Sequence, residues 1–514
     1  MKTVMAQIQA SGLGFSYEKS ADPVFENASF SIDTDWKLGL IGRNGKGKTT
    51  LLKLLMGKYE YSGSISASTR FDYFPYPLSK EDAEKTGAEL TELWKKQAKL
   101  WQVLIQLDQL KTDPECLYRP FHTLSFGEQT KVMLAVLFAS ENEFLLIDEP
   151  TNHLDEAARN LVKVYLSSKK GFILVSHDRD LLDHVCDHVL VLNRATIEVR
   201  AGNFSSWWEN KEKQDAFHRS ENEKHLKEIG KLKSAADKTG RWADKNEGTK
   251  IGFDPVKEHD RSISARAYIG GKTKKLQARV KSYEARIDRE IEEKEGLLKD
   301  IETVADLQIR PLQYHKEVLA EAYDLSLKYP DAEKPLFEGL RFQVKGGDRI
   351  VLAGENGCGK SSILKAILKQ AKHPGASRDS ELQISGRLDT GSGLVISYVN
   401  QNAGFLSGSL KAFAKNRALE ESLFLAILRQ LDLGREQFVK KLEEFSEGQK
   451  KKVLIAASLM TPAHLYIWDE PLNYIDVFSR MQIENLILKY RPSMLLVEHD
   501  VRFREQIATE VVRI

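Results

Sequence analysis

Gly42-Arg43-Asn44-Gly45-Lys46-Gly47-Lys48-Thr49 is followed by Thr50 and a leucine-rich run to Met56. The octet has glycines where a backbone must turn successive N–H groups toward an anion, a lysine for the β- and γ-phosphates of a nucleotide, and a hydroxyl for Mg2+. The flanking sequence suits it, because Trp36 to Ile41 reads as an apolar strand entering the loop and Thr50 to Met56 as a helix leaving it. Gly42, Asn44, Gly45, Gly47, Lys48, Thr49 and Thr50 are therefore the expected phosphate contacts.

Working outward, Leu124-Ser125-Phe126-Gly127-Glu128-Gln129 comes next, followed by an apolar strand that ends in carboxylates, Phe144-Leu145-Leu146-Ile147-Asp148-Glu149-Pro150. Such an ending puts Asp148 beside the metal and Glu149 beside the attacking water. Asn152-His153-Leu154-Asp155 follows, and another strand, Phe172 to Val175, runs into Ser176-His177-Asp178, where His177 can touch the γ-phosphate. The same list then repeats. Gly354-Glu355-Asn356-Gly357-Cys358-Gly359-Lys360-Ser361 with Ser362 is a second phosphate loop; Phe445-Ser446-Glu447-Gly448-Gln449, Asp469-Glu470, Asn473 to Asp476 and Glu498-His499-Asp500 follow in the same order. Lys48 to Lys360 is an offset of 312 and Asp148 to Asp469 one of 321, so nine residues of insertion separate the copies, and the chain is an internal duplication. Tyr17 and Tyr329 each precede their loop's first glycine by 25 residues, where an aromatic ring could stack on adenine.

These motifs in this order resemble the ATP-binding cassette family: phosphate loop, LSGGQ-like signature, strand with Asp-Glu, D-loop and switch histidine. The resemblance covers both outer parts and implies an α/β fold with two P-loop cassettes that close head to tail on two ATP molecules, an intramolecular dimer within a monomer. Lys48 would then share a nucleotide with Ser446, Gly448 and Gln449, and Lys360 with Ser125, Gly127 and Glu128. Glu149 and Glu470, with His177 and His499, would carry hydrolysis, while Thr49, Asp148, Ser361, Asp469 and Gln401 would arrange Mg2+. One departure stands out. The family's Q-loop glutamine is present as Gln401 in Tyr398-Val399-Asn400-Gln401, but the matching string in the first copy is Tyr73-Phe74-Pro75-Tyr76. A tyrosine does not offer a cation the amide oxygen a glutamine does, so the first site is expected to be the slower. The second signature also lacks the leading leucine but keeps its serine and glycine.

Between the copies lies a charged, proline-poor segment of about 110 residues, Trp207 to Lys316. Asn210 to Lys238 is a polar run of helix formers, and Leu276, Val280, Tyr283, Ile287, Ile291, Leu298 and Ile301 recur at steps of three, four and seven on a return limb from Lys272 to Asp306. The expectation is a long α-helical hairpin, each limb about 45 to 55 Å, with a turn from Thr239 to Gly271. From Lys231 to Lys281 there are 14 Lys or Arg against six Asp or Glu, a local +8 in a chain of net charge +2. A basic tip with interleaved aromatics, on a body that carries about −6 elsewhere, fits a nucleic-acid partner. Arg241, Trp242, Lys245, Phe253 and Tyr268 are the candidate tip contacts, and the aromatics would either stack on RNA bases or staple the tip to itself. The expected domains are 1–206, 207–316 and 317–514.

At 514 residues the chain is long enough for two cores and a third element. Three cysteines, Cys116, Cys186 and Cys358, form no disulfide framework, which points to a reducing compartment, the cytoplasm. No apolar stretch suits a signal peptide or a membrane span, which disfavours a membrane exporter. The unclustered cysteines and short helical segment disfavour the coiled-coil ATPases of DNA repair. A tandem cassette with a charged helical linker resembles instead the ABC-F proteins. That resemblance implies binding of the bacterial 70S ribosome at the tRNA exit site, with the linker reaching toward the peptidyl transferase centre past 23S rRNA and P-site tRNA. Tyr73 to Leu124 is too short for an added arm, and the strings KTGRWADK and AYIGGKTKKLQARVK resemble the antibiotic-resistance branch that protects against pleuromutilins, lincosamides and streptogramin A. A general translation factor for stalled ribosomes is the other function such a chain could serve. Ile514 follows closely on the second switch, so the C-terminal extension of some relatives is not expected.

Overall fold

The computed structural model describes residues 7–17, 23–140, 143–152, 154–192, 197–248, 281–282, 286, 308–330, 332–374, 382–431 and 433–514. The chain forms two compact units, one of Met1–Trp207 with Val304–Ile514 and one of Trp208–Thr303.

The first unit holds two α/β cassettes of like design. In the N-terminal cassette an antiparallel sheet, ordered Phe25–Asp33, Gln7–Phe15, Ser62–Ala67, accompanies a six-stranded sheet ordered Arg70–Phe74, Glu143–Asp148, Phe172–Val175, Lys37–Ile41, His188–Leu192, Ile197–Ala201. The first five of those six strands pair in parallel and the last closes an antiparallel hairpin. Central parallel strands are covered on both faces, which is why Phe172–Val175 is an unbroken apolar run and wholly buried. Gln7–Phe15 instead alternates, burying Ile8, Ala10 and Leu13. The helix Lys48–Leu55 turns Leu51, Leu52, Leu54 and Leu55 into a core shared with both sheets. That packing anchors the phosphate loop, which is the helix's N-terminal entry.

The C-terminal cassette repeats the plan with antiparallel strands Phe337–Lys345, Val318–Lys328, Gln383–Thr390 and a parallel sheet ordered Ile396–Val399, Leu465–Asp469, Met494–Val497, Arg349–Ala353, Glu510–Arg513. Its helical layer buries Phe424, Leu428, Leu442 and Val453 with Trp468 and Leu472, and Ile309 joins that core. In both cassettes the carboxylate strand, the switch strand and the phosphate-loop strand lie side by side, so their C-terminal ends converge where ligands of open α/β sheets bind.

The cassettes are tied to one another by polar contacts. Asn44 Nδ2 donates to the Tyr474 carbonyl at 2.9 Å, Arg504 Nη1 to Glu156 Oε2 at 3.0 Å, and the buried Arg179 Nη2 to Glu484 Oε2 at 2.6 Å. Removing one member of a buried pair strands the other, at about 3 kcal/mol. Glu484→Ala is therefore expected to lower the urea midpoint at constant m-value by an amount that Arg179→Ala matches; an unmoved midpoint would show that the pair contributes nothing.

Phe204–Gly248 is a single helix of 45 residues, about 68 Å long. The turn expected from Thr239 is therefore not found there, because Thr239 to Gly248 are helical. Gly240 costs about 1 kcal/mol against alanine, too little to stop a run without proline, so Arg241, Trp242 and Lys245 lie on helical backbone and not in a turn. Lys281, Ser282 and Arg286 are also helical. The rest of the return limb, and Phe253 and Tyr268 of the expected turn, lie outside the described residues. Among the described residues no helix is long and apolar enough to cross a membrane.

Candidate functional site

Gly45 and Gly47 take φ of 81° and 90°, and a Cβ on Gly47 would sit 2.6 Å from Val24 Cγ1, so the loop closes over the strand only with glycine there. Lys48 Nζ bonds the Gly42 carbonyl at 2.7 Å and Asn44 Oδ1 at 3.2 Å, curling over the cradle it frames. Burial pushes its pKa down while Asp476, Glu149 and Asp148 oppose the shift. Thr49 Oγ1 donates to Asp148 Oδ2 at 2.9 Å. The hydroxyl and carboxylate expected at the cation are thus in contact.

Glu149 carries an unusual backbone, φ 53°, fixed by its N–H to the Val175 carbonyl at 2.9 Å. That bend lifts its side chain off the strand end. Burial, and then the charge of Asp148, push the carboxyl up to about 8. Its Oε2 accepts from the His177 backbone N–H at 3.3 Å. Oε1 is 3.3 Å from His177 Nε2 but is misaligned for a hydrogen bond, and it is buried with no hydrogen-bond partner among the described residues. A water beside a γ-phosphate would satisfy that atom. His177 is itself driven well below its ordinary pKa by burial and by Lys48 and Arg480, so its imidazole is neutral.

Around these groups lies a cavity of about 770 Å3 lined from both cassettes: Asn44, Gly45, Lys46, Glu149 and His177 on one side, Ser446, Gly448, Gln449, Lys452 and Tyr474 on the other. The first phosphate loop therefore faces the second signature. Ser446 caps the helix Glu447–Met460, and Gln449 returns the bond to the Ser446 N–H at 3.0 Å. Ser125 and Glu128 build the same box on Phe126–Leu137. Glu128 and Gln449 thus hold their serines in place. Gly448 is required for a different reason: a Cβ there would lie 2.7 Å from the Tyr474 carbonyl, the oxygen that also accepts from Asn44.

The second set of residues is similar in outline. Gly357 and Gly359 have φ of 84° and 105°, Lys360 Nζ bonds the carbonyls of Gly354 and Glu355 at 2.8 and 2.7 Å, and Ser361 Oγ reaches Asp469 Oδ1 at 3.2 Å. Asn356 occupies the loop position matching Asn44. Glu470 repeats the bend, with φ 46° and its N–H on the Val497 carbonyl. Its environment differs, however. Glu470 Oε2 accepts from Gln401 Nε2 at 2.9 Å and Asn473 Nδ2 at 2.8 Å, and His499 Nε2 lies 3.6 Å from Oε1. Burial raises this carboxyl, but the imidazole of His499 and the amide of Gln401 outweigh it and hold it at about 2.

The strand register locates the first copy's departure. Tyr73 pairs level with Leu146 and Tyr398 with Ile467, so Tyr76 stands where Gln401 does. Tyr76 turns inward, donating to Asp72 Oδ2 at 2.7 Å and stacking on Trp94, while the Tyr73 hydroxyl donates to Asp148 Oδ2 at 3.1 Å. No side chain from that strand end reaches Glu149 as Gln401 reaches Glu470 among the described contacts.

Several contacts escaped the sequence reading. Tyr17 and Tyr329, offered as adenine platforms, also tether their hydroxyls to Thr50 Oγ1 at 2.7 Å and Ser362 Oγ at 3.0 Å. Lys452 pairs with the fully buried Asp476 at 3.1 Å, and Lys451 Nζ donates to backbone carbonyls of Asn400, Asp469 and Glu470. The one available signal was the run Lys450 to Lys452 on the face of a helix that is otherwise apolar.

The donor sets suit ATP with Mg2+. Each phosphate loop needs glycine, at positive φ and with a Cβ at Gly47 or Gly359 meeting Val24 at 2.6 Å or Leu336 at 3.2 Å, and each cation position offers one hydroxyl and one carboxylate oxygen, the hard, partial set that Mg2+ takes when phosphate and water complete its shell.

The comparisons agree with this geometry. The family described as ABC transporter matches residues 25–152 and 337–473, more than half of the chain. A ribosome protection protein, VmlR of Bacillus subtilis, is 27% identical over 502 residues, covering 96% of this chain and 84% of the relative. An erythromycin resistance ATP-binding protein, MsrA of Staphylococcus epidermidis, is 27% identical over 498 residues, covering 92% and 90%. The solved structure of an archaeal ribosome recycling factor, aABCE1 in complex with the stalk protein aP1, superposes with a TM-score of 0.61 at 18% identity, covering 98% of this chain and 87% of that one, and shares its fold. With both cassettes matched and both phosphate loops built, the chain belongs to the ABC transporter family of ATP-hydrolysing cassette proteins, in the tandem form that resembles the ABC-F ATPases.

Proposed function

We propose that the chain is a cytoplasmic ABC-F ATPase that binds the bacterial 70S ribosome when its cassettes close on ATP. Its interdomain segment would extend from the tRNA exit site toward the peptidyl transferase centre, past 23S rRNA and P-site tRNA, and protect the ribosome from antibiotic; hydrolysis would release it. The observation that carries the reading is the cavity where the first phosphate loop meets Ser446 and Gly448 of the second cassette within one polypeptide. Such a site is complete only when the halves are together, so nucleotide occupancy is converted into closure. The relatives named for ribosome protection and for erythromycin resistance supply the partner and the outcome.

Within each site the chain's own residues divide the work. Lys48 and Lys360 bind the β- and γ-phosphates, Ser446 and Ser125 donate to the γ-phosphate from the opposite cassette, and Glu149 and Glu470 accept the proton of the attacking water as it moves in line. His177 and His499 orient those carboxylates and the γ-phosphate. Mg2+ held by Thr49 and Asp148, or by Ser361, Asp469 and Gln401, would neutralise phosphate charge in the transition state. The 45-residue helix Phe204–Gly248 leads into the basic stretch, whose positive balance suits the phosphates of rRNA.

Expression in a susceptible bacterium should raise the inhibitory concentration of drugs acting at the peptidyl transferase centre, and purified protein should cosediment with 70S ribosomes in ATP. Deleting Arg241 to Tyr268 should abolish protection while ATP turnover stays within about twofold, because the deleted residues are remote in sequence from both nucleotide sites. Protection that survives the deletion would remove the segment as effector. Unchanged drug sensitivity together with altered translation in a deletion strain without drug would favour the general-factor role.

A further inference from the structure

Lys451 is 2% exposed, and among the described residues its ammonium makes no hydrogen bond to a side-chain carboxylate. Its three N–H groups are spent on three backbone carbonyls, Asn400 at 2.9 Å, Glu470 at 3.1 Å and Asp469 at 3.3 Å. Those carbonyls lie at the ends of two neighbouring strands, Ile396–Val399 and Leu465–Asp469: Asn400 and Glu470 open the loops that leave them, and Asp469 is the last residue of the second strand. The first loop delivers Gln401, one residue beyond Asn400; the second delivers Glu470, and their side chains meet at 2.9 Å. A buried ammonium satisfied by three carbonyls is a fixed point, because releasing any one of them leaves a charged donor and a buried acceptor unpaired.

Among its described residues the N-terminal cassette lacks the arrangement. Counting from the signature serine, Lys451 lies five residues after Ser446 and its counterpart five after Ser125 is Thr130, whose side chain cannot span two loop ends. There Tyr76 also replaces Gln401 and turns away from the site. Lysine clamp and glutamine contact thus occur together in one cassette and are missing together in the other. Lys451 also rides on the helix Glu447–Met460, whose first turn presents Ser446 and Gly448 to the phosphate loop of the first cassette. One side chain therefore connects the wall of the first site to the catalytic loops of the second.

We infer that Lys451 is a positioning residue for hydrolysis at the second site, holding the Gln401 loop against the Glu470 loop from the signature helix that completes the first site. The inference rests on Glu470 and Gln401 serving the second hydrolytic site. It gives the two sites unequal roles in coupling: movement of the second signature helix on nucleotide at the first site reaches Glu470 through Lys451, while Thr130 transmits nothing comparable in the other direction.

The test is ATP turnover by the full chain in a Glu149→Gln background, where the second site supplies the remaining activity. Lys451→Met is expected to lower kcat about 30- to 100-fold, the scale of a small misplacement of catalytic groups, with KM for ATP changed less than about threefold. Lys451→Arg, which can still donate to several carbonyls, should recover at least about a tenth of the parent kcat. Thr130→Met, at the matching place in the first cassette, should change kcat less than about threefold in this background. A kcat within threefold of the parent for Lys451→Met, or a kcat loss that Lys451→Arg fails to relieve, overturns the proposal. If Lys451→Met does not fold, Lys451→Gln carries the same comparison, and a loss of KM and thermal midpoint in step with kcat would mark the residue as structural only. Glu470→Gln in the same background separates the two levels: retained turnover there sinks the site assignment, whereas lost turnover beside an active Lys451→Met chain sinks the Lys451 inference alone.

Discussion

Replacing Glu149 and Glu470 together by glutamine is expected to cut ATP turnover about a thousandfold while nucleotide still binds and the cassettes still close. Both carboxylates sit at strand ends on a left-handed backbone, at φ 53° and 46°, fixed by N–H bonds to Val175 and Val497. Glutamine keeps the shape of the side chain and the backbone that carries it but cannot accept a proton. The phosphate-loop lysines and the cation pairs Thr49–Asp148 and Ser361–Asp469 are left intact. Closure without release should therefore trap the doubly substituted chain on ribosomes. Phosphate release and cosedimentation measure the two halves of the expectation. A variant that pellets with ribosomes in ATP no more strongly than the parent would contradict the coupling of closure to binding.

The single substitutions should not be equivalent. Glu470→Gln is expected to remove most of the turnover, about 30-fold or more, and Glu149→Gln much less, because Glu470 is an ionised carboxylate oriented by Gln401 and Asn473. Glu149, pushed up to about 8, carries a proton at neutral pH and cannot serve as a base until it is lost. The sign follows directly. In the Glu470→Gln chain, turnover at the first site should climb as pH rises from about 7 to 9 and then level. In the Glu149→Gln chain it should stay level over that range, because Glu470 loses its charge only near pH 2. Equal losses for the two single variants, with superimposable pH profiles, would show that the different surroundings of Glu149 and Glu470 do not set their turnover.

The missing glutamine of the first site was legible in the sequence, but the form its replacement takes was not. The string Tyr73 to Tyr76 shows only that no amide is available. That Tyr76 is committed to Asp72 and Trp94 while Tyr73 reaches Asp148 depends on which way each ring leaves a strand end, and therefore on what packs beside it. The helix Phe204–Gly248 is the complementary case. A turn read from glycine and aromatic residues gave way to continuous helix, because the propensity cost of Gly240 is small beside ten turns of good helix formers.

What the sequence by itself determined is the part whose geometry is closed within a few residues: two phosphate loops, each needing glycine at positive φ before a lysine-bearing helix, two carboxylate strand ends, and their duplication in one order. Contacts of that kind are written by neighbouring side chains and backbone sterics, so the string suffices. The tertiary structure alone decided the rest, namely that Asn44 meets the carbonyl of Tyr474, 430 residues away, that Arg179 finds Glu484, that Glu149 is pushed toward neutrality and Glu470 away from it, and that Lys451 holds two loops together. The reason is that burial and long-range partnership set the protonation and the position of a polar group, and neither is encoded next to the residue it governs.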